Sequence, residues 1–138
     1  MSDFTAFVSS LASGAEDSVA VAEASACLKR FTHALNAHDF QGMDCELSFP
    51  HTMLSGAARL VWEEPGQHPI DLFEELHRTG WRSTQYEIMK PVLVSAEKVH
   101  FVLTYTRRAA EGEILSTHTN LWIVTKAAGK WGIALRSY

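Results

Sequence analysis

The stretches VHFVLTYTR (residues 99–107), LSTHTNLWIVT (115–125) and WGIALRSY (131–138) decide the fold of this chain. They are rich in β-branched and aromatic residues, and short glycine-containing segments at 111–112 and 127–129 separate them. This pattern predicts three consecutive antiparallel strands. Helix-like segments fill the first half of the chain, so we predict an α+β fold with one sheet curled around a few helices. Such a sheet commonly encloses a pocket.

Composition places the chain among ordinary globular proteins. Its 138 residues fit one domain, 1–138, in which residues 1–17 are an N-terminal extension or a short helix. Apolar residues make up 46% and charged residues 20%. The net charge is -4, and no basic cluster extends beyond Arg107-Arg108, which argues against nucleic acid as a partner.

Other sequence features address the compartment. No apolar run approaches the ~20 residues needed to span a bilayer, so we expect no membrane association. The first residues lack the basic start and apolar stretch of a secretory signal. Cys27 and Cys45 have no metal-type spacing and are typical of thiols in a reducing compartment. We therefore predict a cytoplasmic protein.

Local patterns predict the remaining elements. Ala24, Leu28 and Phe31 recur at helical spacing within residues 18–37, and no Gly or Pro interrupts that segment. Asp39 is a good N-cap for a second short helix. Residues 47–54 and 58–63 are predicted to form a hairpin with Pro50 at an edge or bulge. We also predict a helix between Pro69 and Gly80 with Ile70 on its apolar side. A strand follows over 84–94.

The two C-terminal turns predict which residues share a side of the sheet. A three-residue loop at 127–129 would place Trp122 opposite Ala134 and Asn120 opposite Arg136. A two-residue turn at 111–112 would place Phe101 opposite Trp122 and Tyr105 opposite His118. The predicted pocket wall has an apolar floor and a polar end, and it consists of Val99, Phe101, Leu103, Tyr105, His118, Asn120, Trp122 and Arg136.

Three segments carry a family resemblance: FTHALNAHD (31–39), FPH (49–51) and GKWGIALRS (129–137). With the order of helices and strands, they resemble the nuclear-transport-factor-2-like (NTF2-like) superfamily, and within it the SnoaL-like, ketosteroid-isomerase-related bacterial branch. The resemblance implies a cone-shaped half-barrel, a strongly curved, mostly antiparallel sheet around the N-terminal helices, and homodimers paired through the sheet. The superfamily includes isomerases, dehydratases, cyclases, epoxide hydrolases and non-catalytic binders, so the fold alone does not choose a function.

The isomerase-type members need a carboxylate base in the pocket, together with a Tyr and a protonated carboxylic acid. Every Asp of this chain precedes residue 72, and the acids after residue 87 lie at turns. The helix over 18–37 contains no Tyr. The chain therefore lacks the isomerase constellation, and whether it is an enzyme stays open.

The candidate site consists of histidines and residues of the predicted wall. His51 and His118 are candidate catalytic acid/base groups because the pKa of histidine lies near neutral pH. Arg136 could bind a carboxylate bidentately, with Tyr105 or Asn120 assisting. Each has a structural alternative, in which the His bonds to the backbone and Arg136 forms an interface ion pair. The predicted ligand-binding set is Val99, Phe101, Tyr105, Asn120, Trp122 and Arg136.

These residues support three hypotheses. The first is a homodimeric domain binding a small, partly apolar molecule, with a carboxylate as the group that Arg136 would recognise. The second is a cofactor-free lyase or isomerase in which His51 or His118 moves a proton. The third is a non-catalytic interaction module whose cavity is filled by its own side chains. An open cavity of about 300 Å³ or more would favour binding. We predict no cofactor and no metal ion.

Overall fold

The computed structural model describes residues 3–5, which are helical, and residues 17–138. Most of the predicted N-terminal extension over 1–17 lies outside these described residues. Among the residues described, no helix has both the length and the apolar character that crossing a membrane requires.

Three helices and six strands follow residue 17. They are α1 (Ser18–Asn36), α2 (Phe40–Cys45), β1 (Leu47–Ser55), β2 (Ala58–Trp62), α3 (Leu72–Arg78), β3 (Ser83–Ser95), β4 (Lys98–Arg108), β5 (Ile114–Ala127) and β6 (Lys130–Ser137). The strands form one sheet in the order β2-β1-β6-β5-β4-β3. All neighbouring pairs are antiparallel except β1 and β6. The predicted α+β class with a mostly antiparallel sheet is confirmed.

The two N-terminal helices begin at aspartates that cap them. Asp17 accepts a hydrogen bond from the Ala20 backbone N–H at 2.9 Å, and Asp39 accepts one from Gly42 at 2.9 Å. Each bond satisfies a backbone donor that the first helical turn leaves unpaired. The predicted cap at Asp39 is confirmed. The buried side of α1, which includes Leu28 and Phe31, joins the apolar core formed with the sheet.

The parallel pair of β1 and β6 brings two distant parts of the chain together. The Phe49-Pro50 peptide bond is cis, and the register shifts between Leu47 and Thr52, so the predicted irregularity at Pro50 is confirmed. A Cβ at Gly132 would lie 2.9 Å from the Ser48 backbone nitrogen, and only glycine permits this approach of the two strands. As a result the side chain of His51 reaches the backbone of β6.

The predicted register between β4 and β5 is confirmed: Phe101 pairs with Trp122, and Tyr105 pairs with His118. The turn itself differs from the prediction, because Ala109 N–H donates to Glu113 O and closes a longer loop. A register shift between Arg107 and Arg108 compensates for the longer loop, so the same residues still face each other.

The predicted loop between β5 and β6 is wrong. Ala127 pairs with Lys130 across a two-residue turn in which Ala128 and Gly129 have φ angles of 51° and 78°. This is the type I′ pattern, which needs two left-handed residues and is unexpected for alanine. The register of the β5–β6 pairing also shifts between Ile123 and Val124. As a result, Trp122 lies opposite Arg136 instead of Ala134. Trp122 and Arg136 therefore meet on one side of the sheet.

The helix predicted from Pro69 starts only at Leu72. Ile70 is 96% exposed and does not belong to the apolar side of that helix, which corrects the prediction. Helix α3 contains no fully buried residue. Its Leu72 and Leu76 side chains line a cavity.

Candidate functional site

A cavity of about 230 Å³ lies between the helices and the inner side of the sheet. Its volume is below the ~300 Å³ lower end of sites for drug-sized ligands, so it suits a smaller molecule. Aliphatic and aromatic side chains form most of the wall. The lining residues include Phe31, Trp62, Leu76, Trp122, His68, the arginines Arg107 and Arg136, and the tyrosines Tyr86, Tyr105 and Tyr138.

Arg136 supplies a buried positive charge to this cavity. Its side chain donates from Nε to His51 Nε2 at 2.9 Å and from Nη2 to Met53 Sδ at 3.2 Å. Arg136 is only 7% exposed, and no carboxylate among residues 3–5 and 17–138 forms an ion pair with it. Burial lowers the pKa of Arg136 from its usual value, yet a guanidinium stays protonated in proteins.

Three aromatic rings surround the guanidinium. The Arg136 Cζ atom lies 5.4 Å from the Phe31 ring centroid, 5.8 Å from that of Trp62 and 5.6 Å from that of Trp122. These are cation–π distances, and each contact contributes about 0.5–2 kcal/mol depending on desolvation. The rings offset part of the free-energy cost of desolvating the charge, but they provide no counter-ion.

His51 holds the guanidinium in place. Its ring is fully buried, and Nδ1 lies 2.8 Å from the Ile133 carbonyl oxygen. Because that oxygen can only accept, Nδ1 carries the hydrogen and Nε2 is the acceptor for Arg136. Burial, with Arg136 as the second cause, lowers the pKa of His51 to about 4. Both ring nitrogens are occupied, so His51 fits a positioning role better than the predicted proton transfer.

The polar end of the predicted wall is arranged around Tyr105. Asn120 Nδ2 donates to the Tyr105 hydroxyl oxygen at 2.8 Å. His118 stacks on the Tyr105 ring at 5.2 Å between centroids, and its Nε2 lies 2.8 Å from Ser116 Oγ. Burial raises the pKa of Tyr105, so its hydroxyl stays protonated and available as a donor. Neither His118 nor Asn120 lines the cavity.

The predicted ligand-binding residues thus divide into three groups, and Asn120 alone forms one, because it bonds to Tyr105 without lining the cavity. Tyr105, Trp122 and Arg136 line the cavity. Val99 and Phe101, predicted as its floor, are 0% exposed and belong to the packed core instead. The register prediction identified the correct side of the sheet, but it did not show where along the strands α1 covers that side.

Sequence reasoning missed a second polar group on the cavity wall. His68 lines the cavity, and its Nε2 lies 3.0 Å from Asp44 Oδ1, at an angle short of a well-aligned hydrogen bond. The other oxygen of Asp44 accepts from the Gly66 backbone N–H at 3.0 Å. The His68 ring also packs against Trp62, with 4.7 Å between centroids. The sequence contains no spacing motif that indicates this pairing.

The remaining carboxylates lie elsewhere. Glu46 pairs with Arg30 at 2.8 Å, and Glu87 pairs with Arg108 at 2.6 Å. Within the described part of the chain, no Asp or Glu side chain lines the cavity. The site therefore presents two arginines, an imidazole and three phenols to whatever occupies it.

No protein-family model matches this chain, and no curated protein is significantly similar to it in sequence. Solved structures do match. A ketosteroid isomerase-like protein from Erwinia carotovora aligns with a TM-score of 0.63 at 18% identity, covering 88% of this chain and 95% of that one. An NTF2-like protein of unknown function from Pseudomonas putida aligns with a TM-score of 0.64 at 10% identity, covering 89% and 87%. A Catenulispora acidiphila protein in complex with S-DNPA aligns with a TM-score of 0.65 at 15% identity, covering 87% and 92%.

The chain has the NTF2-like α+β fold. The resemblance to this superfamily and its ketosteroid-isomerase-related members is confirmed at the level of the fold. Identities this low establish nothing finer about activity or ligand.

Proposed function

We propose that the chain binds a small, partly apolar monocarboxylate in the cavity, with Arg136 as the anchor for the carboxylate. The observation that carries this proposal is a buried guanidinium with no acidic partner among the described residues. A buried, unpaired charge strongly opposes folding, so such charges are normally compensated. An anionic ligand would provide the missing compensation.

The outer edge of the guanidinium supports a carboxylate in particular. His51 and Met53 occupy the side formed by Nε and Nη2, and the neutral Tyr138 side chain, which also lines the cavity, hydrogen-bonds to the guanidinium. The planar fork matches the two oxygens of a carboxylate, so a carboxylate can replace the neutral Tyr138 hydroxyl at its outer edge. Arg136 is the deeply buried cation of the wall, and a single carboxylate at its fork compensates that charge, while the half-buried Arg107 also lines the cavity. The apolar wall accounts for the rest of the molecule.

Titration calorimetry with matched pairs of acid and amide tests this proposal. We expect the protein to bind at least one of phenylacetate, hexanoate and indole-3-acetate, and to bind the corresponding amide at least about 100-fold more weakly, because the buried charge would lose its partner. Equal affinity for acid and amide, or no binding of any acid, would contradict the proposal.

The cavity is open at about 230 Å³ but below the ~300 Å³ that would favour binding by volume, so the preference for binding over a filled, non-catalytic module rests on the unpaired Arg136 charge. The fold neighbour from Catenulispora acidiphila was solved with S-DNPA bound, which supports ligand binding as a use of this fold. Cys27 and Cys45 are both free thiols, in line with a cytoplasmic location.

We further propose that two copies of the chain pair through the outer side of the sheet. Val102 lies opposite Leu121, and Ile123 lies opposite Leu135, so these half-buried apolar residues form one continuous patch. His100, which pairs with Ile123, has a buried Nε2 without a partner in the described chain. A second copy would cover this surface.

Leu121→Lys is expected to convert the dimer into a monomer, because it places a charge at the centre of the patch. Sedimentation velocity measures the change, and Val19→Lys, at a 63% exposed position on α1, is the matched control. If wild type and Leu121→Lys sediment alike, the proposed pairing is wrong.

A further inference from the structure

We infer that Asp44 and His68 form an acid–base pair that acts on the molecule bound at Arg136, and that the chain thereby catalyses keto–enol tautomerisation of small 2-oxo acids. This inference rests on the proposed carboxylate site and adds a reaction and a substrate class to it.

The pair has the geometry of an oriented base. The side chains of His68 and Asp44 are 4% and 12% exposed, with Nε2 and Oδ1 at 3.0 Å. The Gly66 backbone N–H fixes the other carboxylate oxygen at 3.0 Å. The two atoms are close but not aligned as a hydrogen bond, and the charge of Asp44 beside Nε2 favours the tautomer with its hydrogen on Nε2. The lone pair of Nδ1 is then left without a hydrogen bond in the described chain. Because His68 lines the cavity, that nitrogen is the group that can accept a proton there.

Trp62 contacts both His68 and Arg136. Its ring centroid lies 4.7 Å from that of His68 and 5.8 Å from Arg136 Cζ. Both polar groups therefore border the same part of the cavity. In a 2-oxo acid the carboxylate and the carbonyl are adjacent, so the guanidinium fork can contact an oxygen of each once the acid replaces the Tyr138 hydroxyl. The carbon next to the carbonyl then extends toward the imidazole.

The electrostatics keep His68 in its basic form. Burial lowers the pKa of His68, Asp44 opposes that shift, and Arg136 adds to it. His51, which bonds to Arg136, has a pKa of about 4 and is neutral at pH 7. At neutral pH the imidazole is therefore unprotonated and able to take a proton.

The proposed step balances without any co-reactant. The C–H bond beside the carbonyl breaks, and its proton passes to His68 Nδ1. The electron pair forms a C=C bond while the carbonyl π electrons move to oxygen, and the positive charge of Arg136 stabilises the resulting enolate. His68 then returns the proton to that oxygen. A single base performs both transfers, which agrees with a cavity wall that has no Asp or Glu among the described residues.

Proton exchange of phenylpyruvate in D₂O tests the inference. Wild type is expected to exchange the C3 protons faster than buffer, as measured by ¹H NMR at a saturating concentration of the acid. His68→Gln should lower this rate by about 100-fold or more, the usual contribution of a general base, and leave the calorimetric Kd within about threefold. Asp44→Asn should lower the rate with little change in KM. His33→Gln, on the exposed side of α1, should match wild type.

The wild-type rate should also fall at acidic pH as His68 becomes protonated, and this pH dependence should be lost in His68→Gln. If wild type binds phenylpyruvate but exchange equals the buffer rate, or if His68→Gln and Asp44→Asn both keep the wild-type rate, the catalytic inference is overturned and the binding proposal survives. If wild type binds neither phenylpyruvate nor the unreactive acids, both are overturned.

Discussion

Arg136→Met is expected to abolish carboxylate binding and, at the same time, to stabilise the unliganded protein. The substitution removes the buried cation of the cavity wall and leaves only the half-buried Arg107 there. Loss of a buried charge partner amounts to about 2–5 kcal/mol, or a Kd at least about 30-fold weaker. It also removes a buried charge whose desolvation opposes folding by several kcal/mol. The loss of the hydrogen bond to His51 and of the cation–π contacts offsets most of that gain, so we expect a net stabilisation of about 1 kcal/mol.

Urea unfolding without ligand measures the stability, and calorimetry with phenylacetate measures the binding. Arg136→Lys is the matched control because it keeps the charge and loses the planar fork, so we expect weakened binding without the gain in stability. An Arg136→Met protein that is less stable than wild type by several kcal/mol, and that binds the acid normally, would show that Arg136 is a structural residue.

His51 is expected to make the free energy of unfolding depend strongly on pH. Its pKa is about 4 in the folded protein and 6.5 in an unfolded chain, so the unfolded state binds more protons between these values. The free energy of unfolding is therefore fully retained above pH 6.5 and falls as the pH drops toward 4. The loss should reach about 3 kcal/mol. Protonation also turns the acceptor Nε2 into a donor facing Arg136, so carboxylate affinity should fall in the same range.

Urea unfolding of wild type and His51→Gln between pH 4 and pH 7 checks this. The pKa values of His68, His100 and His118 are also lowered, chiefly by burial, so wild type alone reports a sum of effects. The difference between the two proteins isolates His51, because Gln does not titrate. Parallel curves for the two proteins would mean that His51 titrates normally in the folded state.

Much of the fold can be predicted from local patterns. The alternation of buried and exposed residues in 99–107 and 115–125 fixes which side of each strand faces the helices, because a shift of one residue would place polar threonines in the core. The cap at Asp39 could be predicted because a capping side chain contacts a backbone group only three residues away.

The site itself depends on contacts that local patterns do not encode. Arg136 and His51 meet because β1 and β6 pair in parallel, and that pairing depends on the close approach at Gly132. The role of His51 then follows from which of its nitrogens contacts Ile133, a detail of three-dimensional geometry. The pairing of Asp44 with His68 likewise joins a helix to a loop with no spacing rule between them.

The position of a bound acid is the most direct test of the account. A crystal structure with the tightest-binding unreactive acid of the calorimetric panel should place its carboxylate oxygens within about 3 Å of Arg136 Nη1 and Nη2, with the apolar end between Phe31, Leu76 and Trp122. A carboxylate directed into solvent, or a guanidinium still without an anion at saturating acid, would contradict the claim that Arg136 is a buried cation kept for a ligand.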